Sequence, residues 1–254
     1  MNKSKLLKTI VAIVSVVAIS VGGYTYRDAI HSRIARTAAV VSGQEIKPLL
    51  DSEGRYIRQI VAKDNSTSRT IMWQSDSSEA DAVIEFRVDG SENIQSIGAT
   101  DKVFTDDGST TYIHEGTLTG LTPSTKYEYR VGYGNDRRSD WYSLETAGAS
   151  VYDVLIYPDS QSGDYSGWEQ LVKDSAHRNP RTALYISMGD LVDNGEQDYQ
   201  WRTWLNSIRP LSANVPLAPT LGNHEMYTLD WKMREPRAYL NYFDVPPNGN
   251  ETFN

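Results

Sequence analysis

The stretch ALYISMGDLVDNG, residues 183–195, joins a short apolar strand to an acidic turn that is bounded by glycines. Two further segments repeat this arrangement: VYDVLIY (151–157) precedes Asp159-Ser160-Gln161, and VPLAPTL (215–221) precedes Gly222-Asn223-His224-Glu225. Parallel strands of an α/β sheet point the same way, so their C-terminal ends line one crevice. The sequence therefore predicts that three oxygen-rich turns meet at one edge of a parallel sheet.

Two amphipathic helices are predicted between these strands, as α/β connections require. The first helix spans about 167–177 and is expected to bury Trp168, Leu171 and Val172. The second spans about 197–208 and carries apolar residues at positions i, i+3, i+4 and i+7. These residues are Trp201, Trp204, Leu205 and Ile208.

An antiparallel β-sandwich is predicted over residues 52–147. From Tyr56 onward, short runs alternate apolar and polar residues and are separated by segments such as DNSTS and SDSSEAD. Seven or so strands at this spacing are typical of a sandwich. The segment GLTPSTKYEY (120–129) resembles the fibronectin type III signature that leads into the tyrosine corner, and Trp73 is the expected core tryptophan. Such a fold is silent on function.

Composition excludes several classes of protein. The chain has 254 residues, and 25 Lys and Arg against 33 Asp and Glu give a net charge of −8. A nucleic-acid binder held by phosphate neutralisation is therefore not expected. The chain has no cysteine, so a disulfide framework, a thiolate metal site and a cysteine nucleophile are all excluded.

Any metal ion must accordingly be held by carboxylate, amide or imidazole groups. The aspartates and the asparagine of the three turns are hard oxygen donors, and they would repel one another at one edge unless divalent metal neutralised them. Glycines let the backbone turn sharply enough to aim these groups inward. They are Gly189, Gly195 and Gly222.

The N-terminus is a different kind of sequence. Three lysines precede an uncharged stretch from Thr9 to Tyr26 whose centre, IVAIVSVVAISV, is apolar. This pattern predicts an export signal or a membrane anchor over residues 1–26, followed by a spacer over 27–51. Ser20-Val21-Gly22 is a passable cleavage site, but the run is also about long enough to span a bilayer, so both alternatives remain. We expect the later domains to lie outside the cytoplasm, exported or anchored to the membrane.

The three turns, in their order, resemble the motifs of the calcineurin-like metallophosphoesterase superfamily. The matching motifs are the strand-ending Asp of YPDSQ, then GDLVDNG, then GNHE. Among the members, the purple acid phosphatases also carry an N-terminal fibronectin-like sandwich. Each motif alone has a purely structural interpretation, such as a helix cap at Asp159 or a solvated turn at Asp190, but three in register favour the family.

The resemblance implies a fold and an activity. The fold is a fibronectin-like sandwich followed by an incomplete α/β domain of the αββα type, with residues 148–254 as its N-terminal part. The activity is hydrolysis of phosphate esters by two metal ions, divalent or mixed-valence, of Fe, Mn or Zn.

Residue roles follow from the same resemblance. Asp159 is implied as a ligand of the first metal ion, Asp190 as the carboxylate that bridges both, and Asn223 as a ligand of the second. His224 is implied as the catalytic residue that contacts the substrate phosphate and protonates the leaving oxygen. Glu225 is expected to support the imidazole of His224.

Two positions depart from the family pattern. Gln161 stands where many relatives have histidine, and it is a possible ligand through its amide oxygen. Asp193 stands where the purple enzymes have a tyrosinate, so it is a possible ligand and a purple ferric site is not expected.

Three family histidines, from the motifs V-x-x-H and G-H-x-H, have no counterpart among the 29 residues after Glu225. His31, His114 and His177 are expected to be surface or packing residues. We therefore expect the sequence to be the N-terminal portion of a longer phosphoesterase, inactive as it stands. The alternative is a non-catalytic surface binding or adhesion module built on the sandwich.

Overall fold

The computed structural model of the protein describes four ranges: residues 54–75, 77–78, 81–148 and 151–247. The predicted signal or anchor and the predicted spacer lie outside these residues. Within the described ranges, no helix is long and apolar enough to cross a membrane.

The N-terminal region is a sandwich of strands. In the described residues before position 148 the strands are β1 (Arg55–Ile60), β2 (Arg69–Ser75), β3 (Ala82–Val88), β4 (Gln95–Gly98), β5 (Thr100–Asp106), β6 (Ser109–Leu118), β7 (Lys126–Tyr133), β8 (Arg137–Arg138) and β9 (Tyr142–Glu145). One sheet has the order β4-β3-β7-β8, with β9 also paired to β7. Strand β4 begins in the segment DGSENIQ (89–95) and strand β8 lies in GNDRRS (134–139). The polar composition of both segments predicts turns.

The second sheet continues beyond the sandwich. Strands β10 (Asp153–Tyr157), β11 (Thr182–Ser187) and β12 (Leu217–Pro219) pair in parallel, as predicted. Strand β12 also pairs in parallel with β1, with Ile60 opposite Leu217. The result is one seven-stranded sheet in the order β10-β11-β12-β1-β2-β6-β5. The sandwich and the α/β region therefore share a sheet.

Helices connect the parallel strands, and one more helix follows the last of them. In chain order they are α1 (Ser166–Arg178), α2 (Asp198–Ser207), α3 (Arg209–Ser212) and α4 (Arg237–Tyr242). The four apolar residues predicted to form the buried face of the second helical stretch are all buried. In α1 the prediction for Leu171 is wrong, because its side chain is 50% exposed. Trp168 and Val172 are buried and Ala176 packs beside them, so the buried stripe runs at spacing i, i+4, i+8 and leaves Leu171 on its flank.

The sandwich core contains the two features that its sequence predicted. Trp73 is fully buried, and its indole N–H donates to the Tyr133 hydroxyl at 2.9 Å. The Tyr127 hydroxyl accepts the backbone N–H of Thr122 at 2.9 Å, which forms the tyrosine corner. Both bonds satisfy polar atoms that would be costly to bury unpaired.

Strand β2 is buried at every position, although an alternating pattern predicts one wet face. The reason lies on the outer face of the shared sheet. Met72 and Ile113 point away from the sandwich core and join a cluster that contains Trp201 and Tyr242. Strands of the sandwich are thus covered on one side by the other sheet and on the other by the helices.

Arg58 is a buried link between the two regions. Its guanidinium donates to the main-chain oxygen of Tyr242 through Nε at 2.9 Å and Nη2 at 2.7 Å. Burial lowers the pKa of Arg58 from 12.5 to about 10. Because this value is still well above neutral pH, the group stays charged. Close by, the amide of Gln59 donates to the main-chain oxygen of Ala213 at 2.9 Å.

Candidate functional site

The three polar turns meet at the C-terminal ends of β10, β11 and β12, as the sequence predicts. The backbone N–H groups of Ser160 and Gln161 donate to the main-chain oxygen of Asp190 at 3.0 and 2.9 Å. The backbone N–H of His224 donates to Asp190 Oδ1 at 3.0 Å. Asp190 thus contacts both of the other turns, and its φ of 46° lies in the left-handed region.

Glu225 binds the turn of Asp190 and the turn of Gly222 and holds the two together. Its carboxylate is fully buried and accepts four backbone N–H groups, from Asp190 (3.0 Å), Leu191 (2.7 Å), Val192 (3.2 Å) and Gly222 (2.8 Å). Burial raises the pKa of Glu225 above 4.5 and the charge of Asp190 adds to the rise, whereas the amide hydrogen bonds oppose it. The carboxylate acts as an internal cap that fixes the backbone around Asp190.

Two glycines are required by close approach rather than by turn geometry alone. A Cβ atom on Gly222 would lie 2.1 Å from Asp190 Oδ1. A Cβ atom on Gly195 would lie 1.9 Å from the main-chain oxygen of Glu225. The predicted role of these glycines in shaping the site therefore has a steric cause.

The expected support of His224 by Glu225 is wrong. The Glu225 carboxylate is occupied by backbone amides, and the imidazole instead contacts the Asp193 turn. Nδ1 of His224 donates to the main-chain oxygen of Asp193 at 2.8 Å, and Asp193 Oδ1 lies 3.8 Å from the same nitrogen. Since a carbonyl oxygen only accepts, Nδ1 carries a proton, and Nε2 is the nitrogen that can exchange a proton with a ligand.

Sequence reasoning missed the residues that hold the acidic turn in place. Gln200 Oε1, on α2, accepts the backbone N–H groups of Asp193 at 2.6 Å and Asn194 at 3.0 Å. The indole of Trp204 donates to Ser160 Oγ at 2.9 Å, and that hydroxyl donates to the main-chain oxygen of Leu191 at 3.1 Å. The contacts of Gln200 could have been suspected from the sequence, because a glutamine stands there on the apolar side of a predicted helix.

The donor set suits a hard divalent cation in kind. Among the described residues, the amide oxygen of Gln161 is a buried acceptor without a hydrogen-bond partner, which fits the role of a metal ligand. The amide nitrogen of Asn223 donates to the Tyr227 hydroxyl at 3.3 Å, and Asp159 is exposed at the same edge. No group of three or more histidine, aspartate or glutamate side chains in the described ranges is arranged to hold an ion.

Two aromatic rings flank His224, and sequence reasoning missed both. The ring centre of Tyr227 lies 5.5 Å from that of the imidazole and the ring centre of Trp231 lies 6.0 Å from it. The two aromatic rings are themselves 5.3 Å apart at an angle of 42°. They follow GNHE closely in sequence, but only the hairpin after the motif turns them back onto the histidine.

Family models match both regions of the chain. The model of the purple acid phosphatase N-terminal domain matches residues 56–146, and the model of the calcineurin-like phosphoesterases matches residues 138–254. The C-terminal region is thus similar to the calcineurin-like phosphoesterases and the N-terminal region to the first domain of the purple acid phosphatases. Its purple acid phosphatase-like order, a sandwich followed by part of an α/β region, is the order that the sequence predicts.

Plant relatives and one solved structure resemble this chain. A purple acid phosphatase of Glycine max is 29% identical over 124 residues, covering 46% of this chain and 26% of that protein. A protein of Arabidopsis thaliana named "Probable inactive purple acid phosphatase 1" is 28% identical over 136 residues, covering 45% and 22%. The structure of a purple acid phosphatase from yellow lupin (Lupinus luteus) seeds superposes with a TM-score of 0.65 and 21% identity, covering 79% of this chain and 42% of that chain.

A phosphoenolpyruvate phosphatase of Allium cepa is 28% identical over 148 residues, covering 53% of this chain and 29% of that protein. The matched part of the chain thus spans less than a third of the length of each of these curated relatives. The comparisons establish the fold and the family that each of the two regions resembles.

Proposed function

We propose that this chain supplies one edge of a site that hydrolyses phosphate esters with two divalent or mixed-valence metal ions. The observation that supports this most is the meeting of three oxygen-rich turns at one sheet edge, where the buried carboxylate of Glu225 fixes the turn of Asp190 against the turn of Asn223. Four backbone N–H groups bound to one buried carboxylate fix the two turns more firmly than is needed merely to end the strands.

In this proposal the chain's own oxygens hold the metal ions. Asp159 and Gln161 bind one ion, Asn223 binds the other and Asp190 contacts both, with Asp193 as a further candidate ligand. Fe, Mn and Zn all suit such donors. When bound, two such ions supply the positive charge that activates water and neutralises the phosphoryl oxygens.

His224 acts on the leaving group. The bond from its Nδ1 to the Asp193 main chain fixes the orientation of the ring and leaves Nε2 as the proton-exchanging atom. A protonated Nε2 first donates a hydrogen bond to the ester oxygen and then gives it the proton as the bond to phosphorus breaks. Fixing the ring in advance avoids an ordering cost at the moment of reaction.

The test is metal content and hydrolysis of 4-nitrophenyl phosphate by the protein expressed from its whole open reading frame, and by three variants of that protein. Asp190→Ala is expected to lose both metal ions and all activity, because one carboxylate serves both. His224→Ala is expected to keep its metal ions and to lower kcat by about 100-fold or more. Asp174→Asn, on the exposed face of α1, is the matched control and should change neither quantity.

Two metal ions per chain in Asp190→Ala, or full activity in His224→Ala, would overturn the assignments. A folded protein without metal-dependent hydrolysis would favour the second candidate function, a non-catalytic binding module built on the sandwich. One observation supports that candidate: two of the similar plant proteins are named as probable inactive purple acid phosphatases.

Export and membrane association through residues 1–26 also stand as proposals, supported by the lysines and the apolar run of that segment. A reporter that is active only in the cytoplasm, fused after Ala147, should stay silent. A bright cytoplasmic signal would contradict export.

A further inference from the structure

The segment after GNHE forms a small hairpin over residues 226–234 that faces the histidine. The backbone N–H of Thr228 donates to the main-chain oxygen of Lys232 at 2.9 Å, and that of Arg234 donates to the main-chain oxygen of Met226 at 2.8 Å. Tyr227 is bridged to Met233. Tyr227 and Trp231 are therefore carried by a defined turn.

Neighbouring segments hold this hairpin from two sides. Glu196 Oε2 accepts the backbone N–H of Leu229 at 2.7 Å. The guanidinium of Arg234 donates to both carboxylate oxygens of Asp106, at the tip of the β5–β6 hairpin of the sandwich. The aromatic rings are thus positioned before any ligand binds.

Trp231 is an unusual residue for its place in the hairpin. Its φ of 59° lies in the left-handed region, which glycine and asparagine adopt readily and tryptophan rarely adopts. Within the described part of the chain, its indole N–H is also buried without a hydrogen-bond partner. A turn would form more readily with a small residue there, and strain of this kind concentrates at ligand-binding sites.

The position of the rings relates them to the leaving group. An acid that protonates the ester oxygen lies about 3 Å from it. Ring centres 5.5 and 6.0 Å from the imidazole centre put Tyr227 and Trp231 next to the side chain that meets the leaving oxygen.

We propose that Tyr227 and Trp231 form an aromatic wall that binds the leaving group and selects phosphate esters of planar, aromatic alcohols over esters of saturated ones. A planar ring stacks on an indole or phenol face, and it loses less conformational freedom on binding than a flexible alkyl chain. The inference rests on the proposed function, because His224 defines where the leaving group lies.

The test separates ring binding from catalysis by using non-hydrolysable probes. Benzylphosphonate and cyclohexylmethylphosphonate have the same carbon count and a methylene in place of the ester oxygen, and they differ in having a planar aromatic ring or a puckered saturated one. Binding of each is followed with Zn²⁺ present, by ³¹P resonances for the phosphonate and by the tryptophan indole N–H resonances for the protein. The variant Trp231→Asn assigns the resonance of Trp231 and removes the ring, while asparagine tolerates the positive φ.

Benzylphosphonate is expected to shift the Trp231 resonance and to bind about 3- to 10-fold more tightly than the saturated probe. Trp231→Asn should bring the ratio close to one. Trp141→Asn, a tryptophan of the sandwich that stacks with Arg87 and Arg130, is the matched control and should keep it.

Equal binding of both phosphonates in the wild-type protein, or an unshifted Trp231 resonance at saturation, would overturn the inference and leave the phosphoesterase proposal standing. A ring preference that depends on Trp231, in a protein that hydrolyses no phosphate ester, would sustain the wall and refute the hydrolase. Failure of both probes to bind would overturn both the aromatic wall and the phosphoesterase proposal.

Discussion

The carboxylate of Glu225 accepts the backbone N–H of Asp190 at 3.0 Å, which ties the residue after GNH to the carboxylate proposed to bridge two metal ions. Three further amides share the same side chain. The geometry of the site therefore depends on a residue that need not touch a ligand. Its supporting role differs from the one that the resemblance implied.

Glu225→Gln is expected to destabilise the protein by about 2–3 kcal/mol, because a neutral amide brings N–H donors to a position where four donors already point. Urea unfolding measures the loss, and faster hydrogen exchange at 190–192 locates it. Glu169→Gln, which removes only an exposed ion pair with Lys173 on α1, should cost less than about 0.5 kcal/mol. Equal effects of the two variants would contradict the capping role.

Glu225 also predicts a pH dependence of stability. Because burial raises its pKa above 4.5, the folded protein binds more protons than the unfolded chain just above pH 4.5. The contribution of this group to the unfolding free energy therefore falls as pH rises through that window and is constant above it. Urea unfolding between pH 4 and 7 should show the slope in the wild-type protein and a smaller slope in Glu225→Gln. A stability contribution that rises with pH would give the opposite sign.

The shared sheet predicts coupled unfolding of the sandwich and the α/β region. Strand β12 pairs with β1, and the buried guanidinium of Arg58 donates a hydrogen bond to the main-chain oxygen of Tyr242. Arg58→Met is expected to destabilise both regions by about 1–3 kcal/mol, since the carbonyl loses its donors in a buried place. Far-ultraviolet circular dichroism and tryptophan fluorescence should give one coincident transition in the wild type. Two separate transitions would show that the regions are energetically independent.

Local patterns predicted the parts of the fold that local chemistry determines. The segment with Leu121, Pro123 and Tyr127 predicted the tyrosine corner, and the apolar stripe of α2 predicted the buried face of that helix. The pairing of β12 with β1 has no local signal, because register between distant strands depends on the whole packed sheet. The same holds for β2, whose second buried face is created by helices more than a hundred residues later.

The site was predictable to a similar extent. The order of the three turns placed Asp190, Asn223 and His224 together, because parallel strands end at one edge. The partner of His224 was not predictable, since it is a main-chain oxygen and any residue supplies one. His114 was expected to be a packing or surface residue. It is buried against Trp73 and hydrogen-bonded to Ser75 and Asp101, which confirms packing and adds two polar contacts that cross-strand register alone creates.

The contact between Asp106 and Arg234 predicts that the sandwich stabilises the hairpin beside the site. Asp106→Asn weakens a charge-assisted bidentate contact while keeping its size. Hydrogen exchange at the amides of Trp231 and Arg234 is expected to become about tenfold faster, since such contacts contribute about 1.5–3 kcal/mol. Asp140→Asn, an exposed carboxylate elsewhere in the sandwich, should leave these rates unchanged. Unchanged exchange in Asp106→Asn would show that the contact with the sandwich does not stabilise the hairpin.

The glycine of GNHE predicts a steric effect on the turn of Asp190. A Cβ atom on Gly222 would lie 2.1 Å from Asp190 Oδ1 and 2.3 Å from the Asp190 backbone nitrogen, and the second of these atoms cannot move without moving the turn. Gly222→Ala is therefore expected to cost about 1–3 kcal/mol of stability and to displace Asp190. Gly167→Ala is the matched control, because a Cβ atom there meets nothing within 4 Å and lies in helix α1. It should be neutral or stabilising by up to about 1 kcal/mol. Thermal unfolding of the two variants, with hydrogen exchange at 190–192, gives the comparison, and a Gly222→Ala protein as stable as Gly167→Ala would show that the two turns are not in contact.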